Sequence, residues 1–141
     1  MRSIKREIES MVHELYWAQD LNCATTVVKV LSRIYDINIE DQVLESLVGM
    51  HGAGGFGAQC GLVEGSLMFL GIYGKSQGLK QDQIIKMCFD FAHSFEKEFL
   101  SLSCSELRPG GFRQEDPPHL CEGLTIRAIY SSYMFIDKNM N

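Results

Sequence analysis

The fold is decided by residues 60–74, which read CGLVEGSLMFLGIYG. Drawn as a helix, this stretch is apolar on nearly every face, which predicts a buried helix rather than an amphipathic surface helix. Its apolar run, Leu62 to Tyr73, is too short to span a bilayer and contains Glu64 and Ser66. We therefore expect residues 60–74 to form the central helix of a soluble domain with no membrane span.

The segments on either side show the apolar spacing of amphipathic helices. Two of them also carry start signals: Asn22 is a good N-cap, and Glu40 and Asp41 place negative charge in a first turn. No segment alternates with period two, so no strand is predicted. The sequence therefore predicts an all-α fold, a single compact domain of about five to six helices around the apolar central helix. The predicted helices cover residues 3–18, 22–34, 39–50, 60–74, 81–100 and 119–135, with one further turn at 103–107.

The size and charge of the chain narrow the classes of function. Its 141 residues fit one domain, expected to span residues 1–141. The net charge is −5, and the only dense basic spot, Lys5-Arg6, is followed by Glu7 and Glu9. A general nucleic-acid binder needs clustered Lys and Arg, so no nucleic-acid partner is expected.

Five cysteines raise the question of the redox compartment. The N-terminus has positive charges but no apolar stretch behind them, so no signal peptide is expected. We therefore predict a cytoplasmic protein. In that reducing compartment, disulfides are rare, so the cysteines are expected to be catalytic, metal-binding or simply buried.

Four of the cysteines fall at predicted helix starts: Cys23, Cys60, Cys104 and Cys121. Free N–H groups and the helix dipole favour negative charge there, so such thiols are expected to have a lowered pKa. Thiolates attack disulfides and bind soft metals. The alternative is burial without function, which is common for free cysteine and is expected for Cys88, in the middle of an apolar stripe.

The spacing of the cysteines does not identify a metal. Zinc fingers, ferredoxins and thioredoxins place cysteines in short pairs such as C-x-x-C, and this chain has no such pair. Any site must be assembled by the tertiary fold.

The chain resembles a family of small proteins with a proposed redox role, named C_GCAxxG_C_C for its cysteine pattern. Asn22-Cys23-Ala24 resembles the first cysteine block, residues 60–71 the central motif, and Cys121 the fourth block. The third block is matched by Phe95, Phe99, Ser101, Cys104 and Leu107. Two residues depart from the pattern, since Leu62 replaces an alanine and Leu100 a glycine.

The resemblance implies a redox role carried by the four cysteines, as catalytic groups or as metal ligands. Four thiolates are the usual complement for an iron–sulfur cluster. The leading hypothesis is therefore a redox protein that holds such a cluster or cycles between dithiol and disulfide. If no metal is bound, Cys60 or Cys23 is expected to react fastest with alkylating reagents. The alternative is a non-catalytic helical module, zinc-binding or metal-free, that docks on an oxidoreductase or a transporter; a homodimer is also compatible with the apolar helix.

A few further residues qualify as candidates around the cysteines. Gly61 and Gly65 lie on one helical face, where they would admit a cofactor or, more simply, a neighbouring helix. His51 and His119 are candidate proton donors or ligands, and Glu64 is a candidate proton acceptor near Cys60. The glycine-rich residues 52–57 fit G-x-G-x-x-G, but a helix precedes them, so no dinucleotide site is predicted.

Overall fold

The computed structural model describes residues 3–110 and 115–141. Within these residues the fold is helical, with no strand and one isolated antiparallel bridge between Gln59 and Ser103. The all-α prediction is confirmed. The eight helices of the described residues are α1 (Ile4–Trp17), α2 (Cys23–Ile34), α3 (Asp41–Ser46), α4 (Gly52–Gly55), α5 (Gly61–Ser76), α6 (Gln81–Phe99), α7 (Cys104–Leu107) and α8 (Glu122–Met140).

The predicted count of five to six helices is too low because short elements lack a readable apolar period. α4 and α7 have four residues each; α7 was predicted only as a single turn, and α4 was not predicted as a helix. In α4 the φ angles of Ala53 and Gly54 are 56° and 69°, which is left-handed. This element is thus a tight glycine-rich turn, which brings the chain from α3 to the start of α5.

Among the long helices, α5 contacts α2, α6 and α8, while α1 packs against α8 and α2. Both α1 and α2 begin with an N-cap: Ser3 accepts from Arg6 N at 3.3 Å, and Asn22 accepts from Thr25 N at 2.8 Å. Most of the largest fully buried side chains come from α1, α2, α5, α6 and α8, among them Ile8, Leu15, Leu31, Phe69, Phe95 and Ile129. The core therefore lies between the long helices, and the short elements sit at its edge.

Two helices differ from their predicted bounds. α3 ends at Ser46 rather than near Met50, because the Asn22 side-chain amide donates to Leu47 O and Val48 O, both at 2.9 Å, and the chain turns there. α8 continues to Met140, beyond the predicted end at residue 135. Its last turn is polar and exposed, so apolar spacing could not reveal it.

None of the helices within residues 3–110 and 115–141 has the length and apolar character needed to cross a membrane.

Candidate functional site

Two extended segments place Cys60 beside Cys104. Cys60 N donates to Leu102 O, and Cys104 N donates to Ala58 O, each at 2.8 Å. These two bonds flank the bridge between residues 59 and 103, so the segments run antiparallel just before α5 and α7. The geometry therefore aligns the starts of two helices, and each start carries a cysteine.

Two glycines leave room for the neighbouring sulfur atoms. Cys23 is the first residue of α2, and a Cβ atom on Gly61 would collide with its Sγ. Gly52 stands in the same relation to Cys104: its φ is +65°, and a Cβ there would lie 2.8 Å from the Cys104 Sγ. A side chain at either position would displace a cysteine, so Gly61 and Gly52 are required by close packing at the site.

Cys121 is brought to the site by contacts between α1 and the start of α8. The Tyr16 hydroxyl lies 2.6 Å from Thr125 Oγ1 in a buried hydrogen bond. The Tyr16 ring also stacks on His119, with ring centroids 4.5 Å apart. His119 Nε2 in turn lies 2.8 Å from Asp20 Oδ1. These contacts hold the segment before Cys121 against the end of α1.

The four cysteines predicted as site residues converge. Besides burial, negative charge on any of three neighbouring thiols raises the pKa of Cys23; these thiols are Cys60, Cys104 and Cys121. Besides burial, negative charge on Cys104 or Cys121 raises the pKa of Cys60. Cys121 likewise raises the pKa of Cys104. The contacts agree with this: Cys104 lies on the segment paired with that of Cys60, Gly61 lies against the Cys23 Sγ, and Cys23, Cys104 and Cys121 line one cavity. Cys88, in α6, has no such coupling, as expected for a core residue.

The expectation of lowered thiol pKa values is wrong for this geometry. Burial, followed by the charge of Cys60, raises the pKa of Cys23 to about 12. Burial also raises the pKa of Cys60 to about 11, although backbone N–H groups of Leu62 and Val63 oppose it. Desolvation of the thiolate therefore outweighs the favourable helix terminus. We therefore expect Cys23 and Cys60 to react slowly, in contrast to the fast alkylation that the sequence predicted for them.

Arg108 is the cation that faces this thiol cluster. Burial raises the pKa of Cys121, but the charge of Arg108 and its hydrogen bond to the thiol oppose the shift. The charge of Arg108 also opposes the raised pKa of Cys104, which comes mainly from burial and then from Cys121. Its Nη2 lies 3.2 Å from Asp116 Oδ2. Arg108 was not predicted as a site residue, although a basic residue four positions after Cys104 was a usable signal.

A cavity of about 800 Å³ opens beside the thiols. Cys23, Cys104 and Cys121 line it, while Cys60 lies behind them and is 4% exposed. The cavity is also bounded by Tyr16 and His119 and, on the opposite side, by residues of α3. Three thiols are thus within reach of a molecule that enters the cavity.

The other residues that the sequence marked as candidates make contacts with neighbouring parts of the chain. Gly65 faces α2, where a Cβ would lie 2.6 Å from Ala24 O, which supports helix packing; a cofactor role for Gly61 and Gly65 stays a prediction. His51 Nδ1 lies 3.1 Å from the Asn22 amide nitrogen, and both residues line the cavity. Glu64 Oε1 accepts from Gln59 Nε2 at 3.0 Å instead of facing a cysteine.

The four cysteines have the side-chain type and the number of ligands that a metal centre needs, but their side chains are not arranged to bind one ion. Four cysteines match the ligand set of an iron–sulfur cluster or of a structural zinc site. Across residues 3–110 and 115–141, however, no three His, Cys, Asp or Glu side chains are positioned to hold a metal ion together. All five cysteines are free thiols. Metal binding would require the thiols to reorient.

A comparison with protein-family models shows which family the chain belongs to. The family model described as "Putative redox-active protein (C_GCAxxG_C_C)" matches residues 21–132, most of the chain. The chain belongs to this family. The matched range includes all four converging cysteines, and the resemblance seen in the sequence is confirmed. Searches of curated proteins and of solved structures gave no match.

Proposed function

We propose that this member of the C_GCAxxG_C_C family is a redox protein in which two of the four clustered thiols cycle between dithiol and disulfide. The observation that supports this is the convergence of four free thiols, from four separate helix starts, at an open cavity. When the S–S bond forms, two thiols lose two protons and two electrons. The two protons and the two electrons pass to an oxidised partner, such as an oxidoreductase that carries a disulfide.

Cys104 and Cys121 are the best pair for this chemistry. Both line the cavity, and the Arg108 charge favours the thiolate form of each. The thiolate is the attacking species, so the more easily ionised member of the pair starts the reaction. Arg108 also donates a hydrogen bond to Cys121, which makes Cys121 the attacking thiol and Cys104 its partner.

Oxidation of the reduced protein should remove two thiols and no more. We expect diamide, added without oxygen, to give one intramolecular disulfide, seen as a mass loss of about two protons and reversed by dithiothreitol. The Cys121→Ser variant should lose this product, while Cys88→Ser, a matched change outside the cluster, should retain it. The dithiol function is wrong if the wild type forms no internal disulfide or if the bond involves Cys88.

An iron–sulfur cluster is the second candidate, because four cysteines lie near one another and four thiolates are its usual complement, although the thiols would have to reorient to bind it. Anaerobic reconstitution with iron and sulfide should then yield a coloured protein with acid-labile sulfide. The colour should be lost in Cys60→Ser and kept in Cys88→Ser. A colourless product, or uptake of zinc alone, would rule out this candidate and favour thiol chemistry or a zinc-binding module.

Either chemistry needs a compartment that keeps the thiols reduced. We propose the cytoplasm, since the five cysteines are all free and structural disulfides are rare there. In cells, the reduced fraction of Cys104 and Cys121 should therefore be high, and it should fall on exposure to an oxidant.

A further inference from the structure

The cavity beside the thiols has the dimensions of a small-molecule site. Its volume of about 800 Å³ falls within the range of roughly 300–1,000 Å³ that is usual for such sites. Cys104 and Cys121 lie in its wall, so a bound molecule would lie next to the pair proposed to react. A molecule that fills this space is expected to be a reaction partner of the thiols.

The walls of the cavity are mainly apolar. Leu21 comes from the α1–α2 connection, Leu44 and Val48 from α3 and the turn after it, and Pro117 and Leu120 from the segment before α8. Val48 stands at the mouth and is 72% exposed. An apolar body gains free energy by covering these side chains, whereas a highly charged peptide disulfide would lose hydration there.

The polar groups that remain in the cavity are mainly hydrogen-bond donors. His51 lines the cavity with its Nδ1 3.1 Å from the Asn22 amide nitrogen, and its imidazole ring carries an N–H that can donate to a ligand. Lys29 also lines the cavity, and its ammonium has no acidic partner within the described residues. Two of the three lining acids are already engaged: Asp20 with His119 and Asp116 with Arg108. The cavity therefore suits a ligand with hydrogen-bond acceptors.

We propose that this cavity binds a quinone, an apolar ring with two carbonyl oxygens, as the electron acceptor of the protein. The inference rests on the dithiol function proposed above. Cys104 and Cys121 form an S–S bond and release two electrons and two protons. The quinone takes up both, its two carbonyl oxygens become hydroxyls, and hydroquinone leaves. The donors at His51 and Lys29 match the carbonyl oxygens, and the apolar walls match the ring.

The probe for this site is 2,3-dimethyl-1,4-naphthoquinone, whose methyl groups block addition of thiols to the ring. Binding is measured by equilibrium dialysis against Cys104→Ser/Cys121→Ser protein, which lacks the pair of thiols proposed to reduce the ligand. We expect one molecule bound per chain. Added to this background, Val48→Trp should fill the mouth and weaken binding at least tenfold. Ile85→Trp is the matched control, since Ile85 is 59% exposed on α6 and lies outside the cavity, and it should change affinity less than twofold.

Electron transfer is measured separately, with the reduced wild type and the same quinone without oxygen. We expect one hydroquinone for each pair of thiols lost, and a much slower reaction in Val48→Trp. Absence of binding, or binding insensitive to Val48→Trp, overturns the quinone site, while a diamide-induced disulfide would still support the dithiol function. Binding at the cavity without loss of thiols overturns the acceptor role alone, and the diamide experiment then decides the dithiol function.

Discussion

Replacement of Gly65 by alanine is expected to destabilise the fold by about 1–3 kcal/mol, the usual cost of overpacking a core. The added Cβ would lie 2.6 Å from the Ala24 carbonyl oxygen and 3.1 Å from Val27 Cβ. That carbonyl belongs to the α2 backbone and cannot rotate away, so α5 and α2 must separate. Because Cys23 begins α2 and Cys60 caps α5, the separation would also disturb the thiol cluster. Urea denaturation of reduced protein measures the change in free energy of unfolding.

Gly71→Ala is the matched control, because Gly71 lies on the same helix and nothing stands within 4 Å of its Cβ position. Alanine is a better helix former than glycine by up to about 1 kcal/mol, so this variant should be as stable as the wild type or more stable. The two alanine variants should therefore move in opposite directions. Equal effects would mean that close contact between α2 and α5 is not what requires glycine at position 65.

The positions of the long helices could be predicted because apolar spacing and caps agree. Asn22 illustrates this: its residue type predicts an N-cap, and its side chain does accept from Thr25 N. The same side chain also donates to Leu47 O and Val48 O, which ends the helical run of α3 early. These two hydrogen bonds link residues some twenty-five positions apart in the sequence, so no local sequence pattern predicts them.

The members of the site could be predicted, whereas their surroundings could not. Helix starts and the cysteine blocks marked Cys23, Cys60, Cys104 and Cys121 correctly as residues at helix N-termini. Convergence depends on pairing between residues 57–60 and 102–105, which is invisible in either segment alone. Arg108 was missed because its importance comes from the position of Cys121.

The thiol pKa values show why a helix start alone is a poor guide to reactivity. The dipole at a helix N-terminus is worth about 0.3–1 kcal/mol at an exposed position, less than one pKa unit. Burial and three neighbouring thiols raise the pKa of Cys23 to about 12, a change several times larger. Only the smaller effect, that of the helix dipole, can be predicted from the sequence, because burial depends on the packed fold. The order of reactivity among the cysteines is therefore expected to reverse.

Alkylation of the reduced protein at pH 8 should be slowest at Cys23. A pKa of about 12 leaves roughly a thousandfold less thiolate than an ordinary thiol near 9 has. A more basic thiolate is intrinsically more nucleophilic, with a Brønsted slope of about 0.4–0.5, which returns a factor of roughly 20. The net rate at Cys23 should be about 50-fold below that of an ordinary thiol, before any loss from restricted access. Time-resolved iodoacetamide labelling with peptide mass spectrometry measures each cysteine in one sample.

Cys121 should be alkylated well before Cys23, because Arg108 stabilises its thiolate. Removal of that charge in Arg108→Gln should move the pH at which Cys121 becomes reactive upward and slow its labelling at pH 8. Cys88 provides the internal control, since it lies outside the cluster and its rate should not respond to the change at Arg108. Fast labelling of Cys23 in folded protein would mean that its thiol is neither buried nor coupled to Cys60. In that case Cys23, and not Cys121, is the better candidate for the attacking thiol, and the assignment of the reaction to Cys104 and Cys121 is wrong.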